Sequence, residues 1–194
     1  MIEAPQLQAD VRSIRARVER CADRILDAAQ LAPGMRLADI GTGEGIIAFR
    51  AIRRIGSTLD VLLTDDSEHL LQQAASLAFQ HQAHSQCAFL HCPADQLDGI
   101  ADGSVDVITA RDVLAYVTDK SAALREFHRI LRRGGRISLA EAVLQDDAHC
   151  SERTLFHLAR RAGFVDIHLE LHIDVLPASR IIYLSGVVAT SDRM

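Results

Sequence analysis

Three glycines at every second position, Gly41, Gly43 and Gly45, and a carboxylate 20 residues further on, Asp65, have the types and spacing to do chemistry. The glycines stand in LADIGTGEGIIAFRA (37–51), where a short apolar strand runs into a loop and a helix follows. Such a loop brings backbone close to a ligand. A dinucleotide fingerprint would need its third glycine at position 46, which is Ile46. A Walker loop would need Gly-Lys-Ser/Thr after four residues, and none exists. Neither the pyrophosphate nor the triphosphate pattern fits. Asp65 closes a second strand, where a carboxylate can accept hydrogen bonds from both hydroxyls of a ribose. Each such charge-assisted bond is worth about 1.5–3 kcal/mol.

The elements that must position these residues are strands alternating with helices. Strand-like segments fall at 35–40, 60–64, 86–91, 105–109 and 136–143. Ser67 is a candidate N-cap before Leu70, Leu71, Ala74, Ala75 and Ala78. A later helix carries Ala123, Phe127, Ile130 and Leu131, with Gly134 as its expected C-terminal stop. Strands rich in Val, Ile and Leu between helices imply a parallel sheet covered on both faces. VDIHLELHIDV (165–175) alternates strictly, Val165, Ile167, Leu169, Leu171, Ile173 and Val175 to one side, as expected at a sheet edge. RIIYLSGVVAT (180–190) is nearly all apolar and is expected to be interior. The short link between them demands an antiparallel pair. The expected fold is α/β, a seven-stranded, mostly parallel sheet with a C-terminal antiparallel hairpin. Ahead of it, Leu7, Val11, Ile14, Val18, Cys21 and Ile25 form one helical stripe over 7–29.

The totals narrow the function. A chain of 194 residues is expected to form one domain, a helical segment over 1–30 preceding a core over 31–190. Its formal charge of -5 argues against a nucleic-acid partner. No apolar stretch approaches the roughly 20 residues that cross a bilayer. The charged N-terminus is unlike a secretory signal, and the four cysteines form no CxxC pair. A cytoplasmic protein with reduced thiols is expected.

Several blocks together resemble the class I S-adenosylmethionine-dependent methyltransferases, in the ubiquinone-methyltransferase-like branch. LADIGTGEG is similar to the family's first motif, V-L-D-x-G-x-G-x-G; VLLTDDSEHLL is similar to its second block. DGSVDVITARDVLAYVTDKSAALREFHRILRRGGRISLAEA resembles the stretch from fourth to fifth strand. The resemblance covers about residues 20–190. It implies a Rossmann-like three-layer sandwich with S-adenosylmethionine as cofactor and S-adenosylhomocysteine as product. It implies that Asp39, Gly41, Thr42, Gly43 and Gly45 line the methionine and ribose end. Asp65 would be the ribose acid, Asp66 would lie beside the adenine, and Ala110 and Arg111 would border the amino-acid end. The chain departs from the pattern at Cys92-Pro93-Ala94-Asp95, where Pro93 takes the place of the usual adenine-side acid. By the resemblance, Ala94 would offer its backbone N–H there and Asp95 would serve in place of that acid. LRRGGR lacks the common proline before its glycines, a matter of turn chemistry.

By the same resemblance the reaction is an in-line displacement, in which orientation alone supplies roughly 7–11 kcal/mol. Asp112 and Tyr116 are the candidates for substrate contact, although Tyr116 is expected first as a packed ring. Ala115 stands where some relatives carry histidine, so base catalysis from that site is not expected. Glu141 either faces the cleft or is a surface turn acid. No metal site is expected. His168, Glu170 and His172 spread over about 13 Å along one strand, too far for one ion, and His91-Cys92 and His149-Cys150 lack zinc spacing. The acceptor expected is a small molecule of any O, N or C type. A peptide or protein acceptor at an open cleft is the alternative, as is a non-catalytic cofactor-binding sensor or subunit. The branch often closes its pocket with a C-terminal cap; here the N-terminal helix, a homodimer mate or a partner subunit would have to do so. An aromatic content of 4% without Trp disfavours a planar aromatic acceptor.

Overall fold

The computed structural model describes residues 4–143, 151–173 and 180–190, and of residues 4–11 the backbone alone. Helix α1 (Ala4–Ala29) leads into strand β1 (Arg36–Ile40), helix α2 (Ile46–Ile55), strand β2 (Asp60–Asp65) and helix α3 (Glu68–Gln80). Then come β3 (Cys87–His91), β4 (Val105–Arg111), α4 (Lys120–Ile130), β5 (Leu131–Val143), α5 (Glu152–Ala162), β6 (Phe164–Ile173) and β7 (Arg180–Val188). The seven strands form one sheet in the order β3-β2-β1-β4-β5-β7-β6. β1 to β5 run parallel, while β7 is antiparallel to both its neighbours.

Alternation along the central strands sorts the core into two layers. Leu37, Leu63 and Val107 pack with Cys21, Ile25 and Leu26 of α1, Phe49 of α2 and Ala74 of α3. Ala38, Leu62 and Ile108 face the other way, onto Leu124 and Phe127 of α4 and Leu155 of α5. The sheet is thus buried on both sides, which is why its parallel strands are nearly continuous in Val, Ile, Leu and Ala. The order reverses direction between β1 and β4. At such a switch point the two following loops part and leave a crevice beyond the strand ends.

Ser67 caps α3, accepting the N–H of Leu70 at 3.4 Å. Three expectations need correction. Helix α4 ends at Ile130 with Leu131 as its cap, and Gly134 lies inside β5. There the pairing jumps from Val105↔Leu131 to Val107↔Arg136, so the glycines serve an irregular register and stop no helix. Helix α5 was not anticipated, although Ser151 caps it and Gly163 closes it. In β6 the pairing slips between Val165 and His168, and Val165 and Ile173 are 40% and 64% exposed, so the apolar face is broken at both ends. Val175, the 176–179 turn, His149 and Cys150 lie outside the described residues, as do the side chains of Leu7 and Val11.

The polar side of β6 meets α1. Arg24 pairs with Glu170, contacts His172 Nδ1 at 3.2 Å and stands over the Tyr183 ring at 4.9 Å. Arg50 and Arg54 of α2 both grip Asp23 of α1, at 2.6 and 2.7 Å. These partly exposed pairs contribute modestly, on the order of 1 kcal/mol each.

Candidate functional site

A cavity of about 800 Å³ opens at the switch point, beyond the carboxyl ends of β1 to β4. The loop after β1 brings Gly41 and Gly43, and the end of β2 brings Asp65 and Asp66. The turn after β3 brings Cys92, Pro93, Ala94, Asp95 and Gln96. The segment after β4 brings Arg111, Asp112, Val113, Tyr116, Val117 and Thr118. Four stretches far apart in sequence therefore converge on one space. Gln96, Val113, Val117 and Thr118 were not singled out from sequence, and Leu70 and Cys92 were not read as site residues; apart from Leu70 in α3, their signal was only their position after strands.

Asp65 is 6% exposed, and its carboxylate is held from two sides. Oδ2 accepts the N–H of Gly43 at 2.8 Å and Oδ1 that of Ser67 at 2.9 Å. A carboxylate has about four lone-pair positions, so each oxygen keeps one for a ligand hydroxyl. Gly43 has φ 56, and a Cβ built there would meet nothing within 4 Å. A side chain at 43 would stand in open space beside the cavity that the glycine lines. Gly41 (φ 63) is different, for its Cβ would lie 2.4 Å from Val113 Cγ2, so the β4 segment packs directly on the glycine loop. A cradle kept clear of side chains, with a fixed two-oxygen acceptor beside it, fits a ribose-bearing ligand.

Asp39, Thr42, Gly45 and Ala110 do not border the cavity. Asp39 is 1% exposed and takes the hydroxyls of Thr42 and Thr109, each at 2.7 Å, so it ties β1 to its own loop and to β4. Burial, outweighing those two bonds, pushes its carboxyl up to about 6. Thr42 donates its N–H to Thr64 O at 2.9 Å and accepts that of Gly45. Gly45 caps α2 under Phe49, and Ala110 is fully buried in β4. These four shape the loop from beneath.

Tyr116 is 86% exposed at the rim, so the packed-ring reading is wrong. Asp112 adopts φ 57 and receives the N–H of Ala142 at 2.9 Å, while Arg111 stands 3.7 Å from its other oxygen. Glu141 is neither in the cleft nor on the surface. It is 1% exposed and receives three backbone N–H groups from 113–115. Burial pushes the partly buried Cys92 thiol up to about 11, which keeps it protonated and un-nucleophilic. On α1, Ile14 and Val18 line a separate groove of about 540 Å³ against Phe49 and Leu77. The residues of α1 from 12 onward do not line the main cavity. Among the described residues no cluster of three or more His, Cys, Asp or Glu could hold a metal ion.

Residues 31–165, well over half of the chain, match the family described as "Methyltransferase domain". A ubiquinone/menaquinone biosynthesis C-methyltransferase of Xanthomonas oryzae is 34% identical over 113 residues, 58% of this chain and 44% of that protein. The chain spans about half the length of the curated relatives it matches. Among solved structures, a phosphoethanolamine N-methyltransferase of Haemonchus contortus, in complex with S-adenosylhomocysteine, superposes with a TM-score of 0.75. It is 16% identical, with 87% of this chain and 52% of that one covered. The [4+2]-cyclase SpnF superposes with a TM-score of 0.80 at 19% identity, over 89% of this chain and 81% of that one. At these identities the two structures speak for the fold alone. Sequence match, sheet order and cavity together place the chain: it belongs to the class I S-adenosylmethionine-dependent methyltransferase family.

Proposed function

We propose that this chain transfers a methyl group from S-adenosylmethionine to a neutral or cationic small-molecule acceptor at the switch-point cavity. The observation that carries this reading is the charge of the wall. Asp65, Asp66, Asp95 and Asp112 line it, and among the described residues Arg111 is the one Lys or Arg that does. The net negative lining attracts the sulfonium, and Asp112, the acid on the acceptor side, favours an amine over phosphate or carboxylate acceptors. When bound, S-adenosylmethionine supplies a methyl group already activated for displacement. The chain's own task is to orient the two partners. In this reading Asp65 accepts the ribose hydroxyls, and Gly43 lets the ligand lie against the loop. Asp66, Ala94 and Asp95 flank the adenine, Arg111 pairs with the ligand carboxylate, and Asp112 with Tyr116 faces the acceptor.

Tyr116 also favours a second reading. A ring 86% exposed at the cavity mouth offers a platform to a peptide acceptor as well. We read 1–194 as one domain. Among the described residues no helix is long and apolar enough to cross a membrane. The free thiols of Cys21, Cys87 and Cys92 suit the reducing cytoplasm.

The test is S-adenosylhomocysteine release from S-adenosylmethionine over matched panels of amines, alcohols, carbon acids, phosphorylated and carboxylated compounds, and peptides. Turnover confined to neutral or cationic small molecules is expected. Turnover confined to anionic acceptors would contradict the charge argument, and turnover with peptides alone would favour the second reading. Because a cyclase shares the fold, product must be scored as methylated compound.

A further inference from the structure

A buried carboxylate outside the cavity lining sits just behind the acceptor-side wall. Glu141, near the end of β5, is 1% exposed. Its Oε1 accepts the N–H of Val113 at 3.2 Å and of Leu114 at 3.0 Å, and its Oε2 accepts that of Ala115 at 3.2 Å. The strand end and the segment also clasp in the reverse direction. Asp112 donates its N–H to Ala140 O at 2.8 Å and receives the Ala142 N–H on its carboxylate at 2.9 Å. Three consecutive N–H groups in a segment without regular structure have no strand partner, and buried donors left alone are costly. One side chain answers all three.

What Glu141 holds is not an arbitrary loop. Asp112, Val113, Tyr116, Val117 and Thr118 form one wall of the cavity, and Val113 sits where a Cβ on Gly41 would be. Moving 113–115 therefore moves both the acceptor wall and the lid on the glycine loop. We propose that Glu141 is a positioning residue, whose carboxylate fixes the 112–118 wall against the glycine loop and so sets the shape of the ligand cavity. The proposal rests on the methyltransferase reading only for what fills the cavity. The clasp is tested without turnover.

Burial, larger than the three N–H bonds together, pushes the Glu141 carboxyl up to about 7. Asp112 is the charged neighbour acting on it, in the same upward direction, and Arg111 faces Asp112. From β7 its register partner is the apolar Ile182.

Amide hydrogen exchange by NMR on wild type, Glu141→Gln and Glu141→Ala, with calorimetric titration of S-adenosylhomocysteine, tests the proposal. In Glu141→Ala the amides of Val113, Leu114 and Ala115 should lose protection by about tenfold or more, while Ile108 and Thr109 in β4 keep theirs. Glutamine keeps one carbonyl oxygen for Val113 and Leu114 but turns a donor toward Ala115. Its loss should therefore be concentrated at Ala115. Affinity for S-adenosylhomocysteine should fall by about tenfold in Glu141→Ala, as Val113 leaves Gly41. Unchanged protection at all three amides would overturn the proposal, as would a loss spread equally over β4, or weakened exchange protection with unaltered affinity. Should neither variant fold, wild type decides. The amides of Val113, Leu114 and Ala115 should be protected at least about tenfold more than that of the exposed Thr118, and protection no greater than at Thr118 would overturn it. Wild type failing to bind S-adenosylhomocysteine would count against the cofactor reading, whereas the exchange pattern would still report on the clasp.

Discussion

Gly43→Ala separates the needs of the fold from those of the ligand. With φ 56 and no atom within 4 Å of the new Cβ, the folded chain meets backbone strain but no clash. A non-glycine residue in that region costs about 1–2 kcal/mol, partly offset by a less flexible unfolded chain, worth about 0.4–1 kcal/mol. The net loss, about 1 kcal/mol, lowers the melting temperature by roughly 2–4 °C in a domain of this size. The methyl group, however, would stand in the open space beside the cavity that the glycine lines, where a bound ligand would lie against the loop. Affinity for S-adenosylhomocysteine should fall by about 100-fold, a loss of roughly 2.7 kcal/mol. Gly41→Ala is the counterpart. Its Cβ would lie 2.4 Å from Val113 Cγ2, adding an overpacking cost of about 1–3 kcal/mol to a similar strain. Thermal unfolding and calorimetry on both variants check the contrast. The reasoning is refuted if Gly43→Ala binds within about threefold of wild type, or if it unfolds as readily as Gly41→Ala.

Two further substitutions probe the buried and the exposed acid-rich parts of the site. The Asp39 carboxyl is raised from 3.8 to about 6, so the folded chain keeps a proton that the unfolded chain releases. Its contribution is complete below about pH 4 and is lost as pH rises through 6, up to about 3 kcal/mol. Asp39→Asn should flatten that fall in denaturant unfolding, and an unchanged slope between about pH 4 and about pH 6 would contradict it. Tyr116→Phe leaves the fold alone, because the ring is 86% exposed. Its melting temperature should match wild type; reduced methyl transfer at unchanged cofactor affinity would assign the hydroxyl to the acceptor, and equal turnover would remove it from the site.

The sequence disclosed what depends on local pattern. The glycine loop, the strand-end acid, the Ser67 cap and the antiparallel last pair all follow from spacing over a few residues. What it concealed depends on direction and on register. Asp39 precedes the glycine loop in sequence and Ala110 pairs with Ile40 beside it in the sheet, yet both point beneath the loop, because β1 and β4 are buried on both faces and neither face announces itself. Glu141 could be either cleft or surface until the pairing of β4 and β5 put 113–115 over it. The jump from Val105↔Leu131 to Val107↔Arg136 hides in a glycine pair that reads as a helix stop. Arg24 reaching Glu170 and His172 joins residues 146 and 148 apart, beyond any periodicity argument. Helix α5 had both its caps in view at Ser151 and Gly163.

The central claim is that the cavity takes S-adenosylmethionine through Asp65. Calorimetric titration of wild type and Asp65→Ala with S-adenosylhomocysteine, beside NAD as control, tests it most directly. Micromolar binding of the first ligand alone is predicted, weakened by about tenfold or more in the variant. A folded wild type that ignores S-adenosylhomocysteine, or a variant that binds it equally well, would contradict the account.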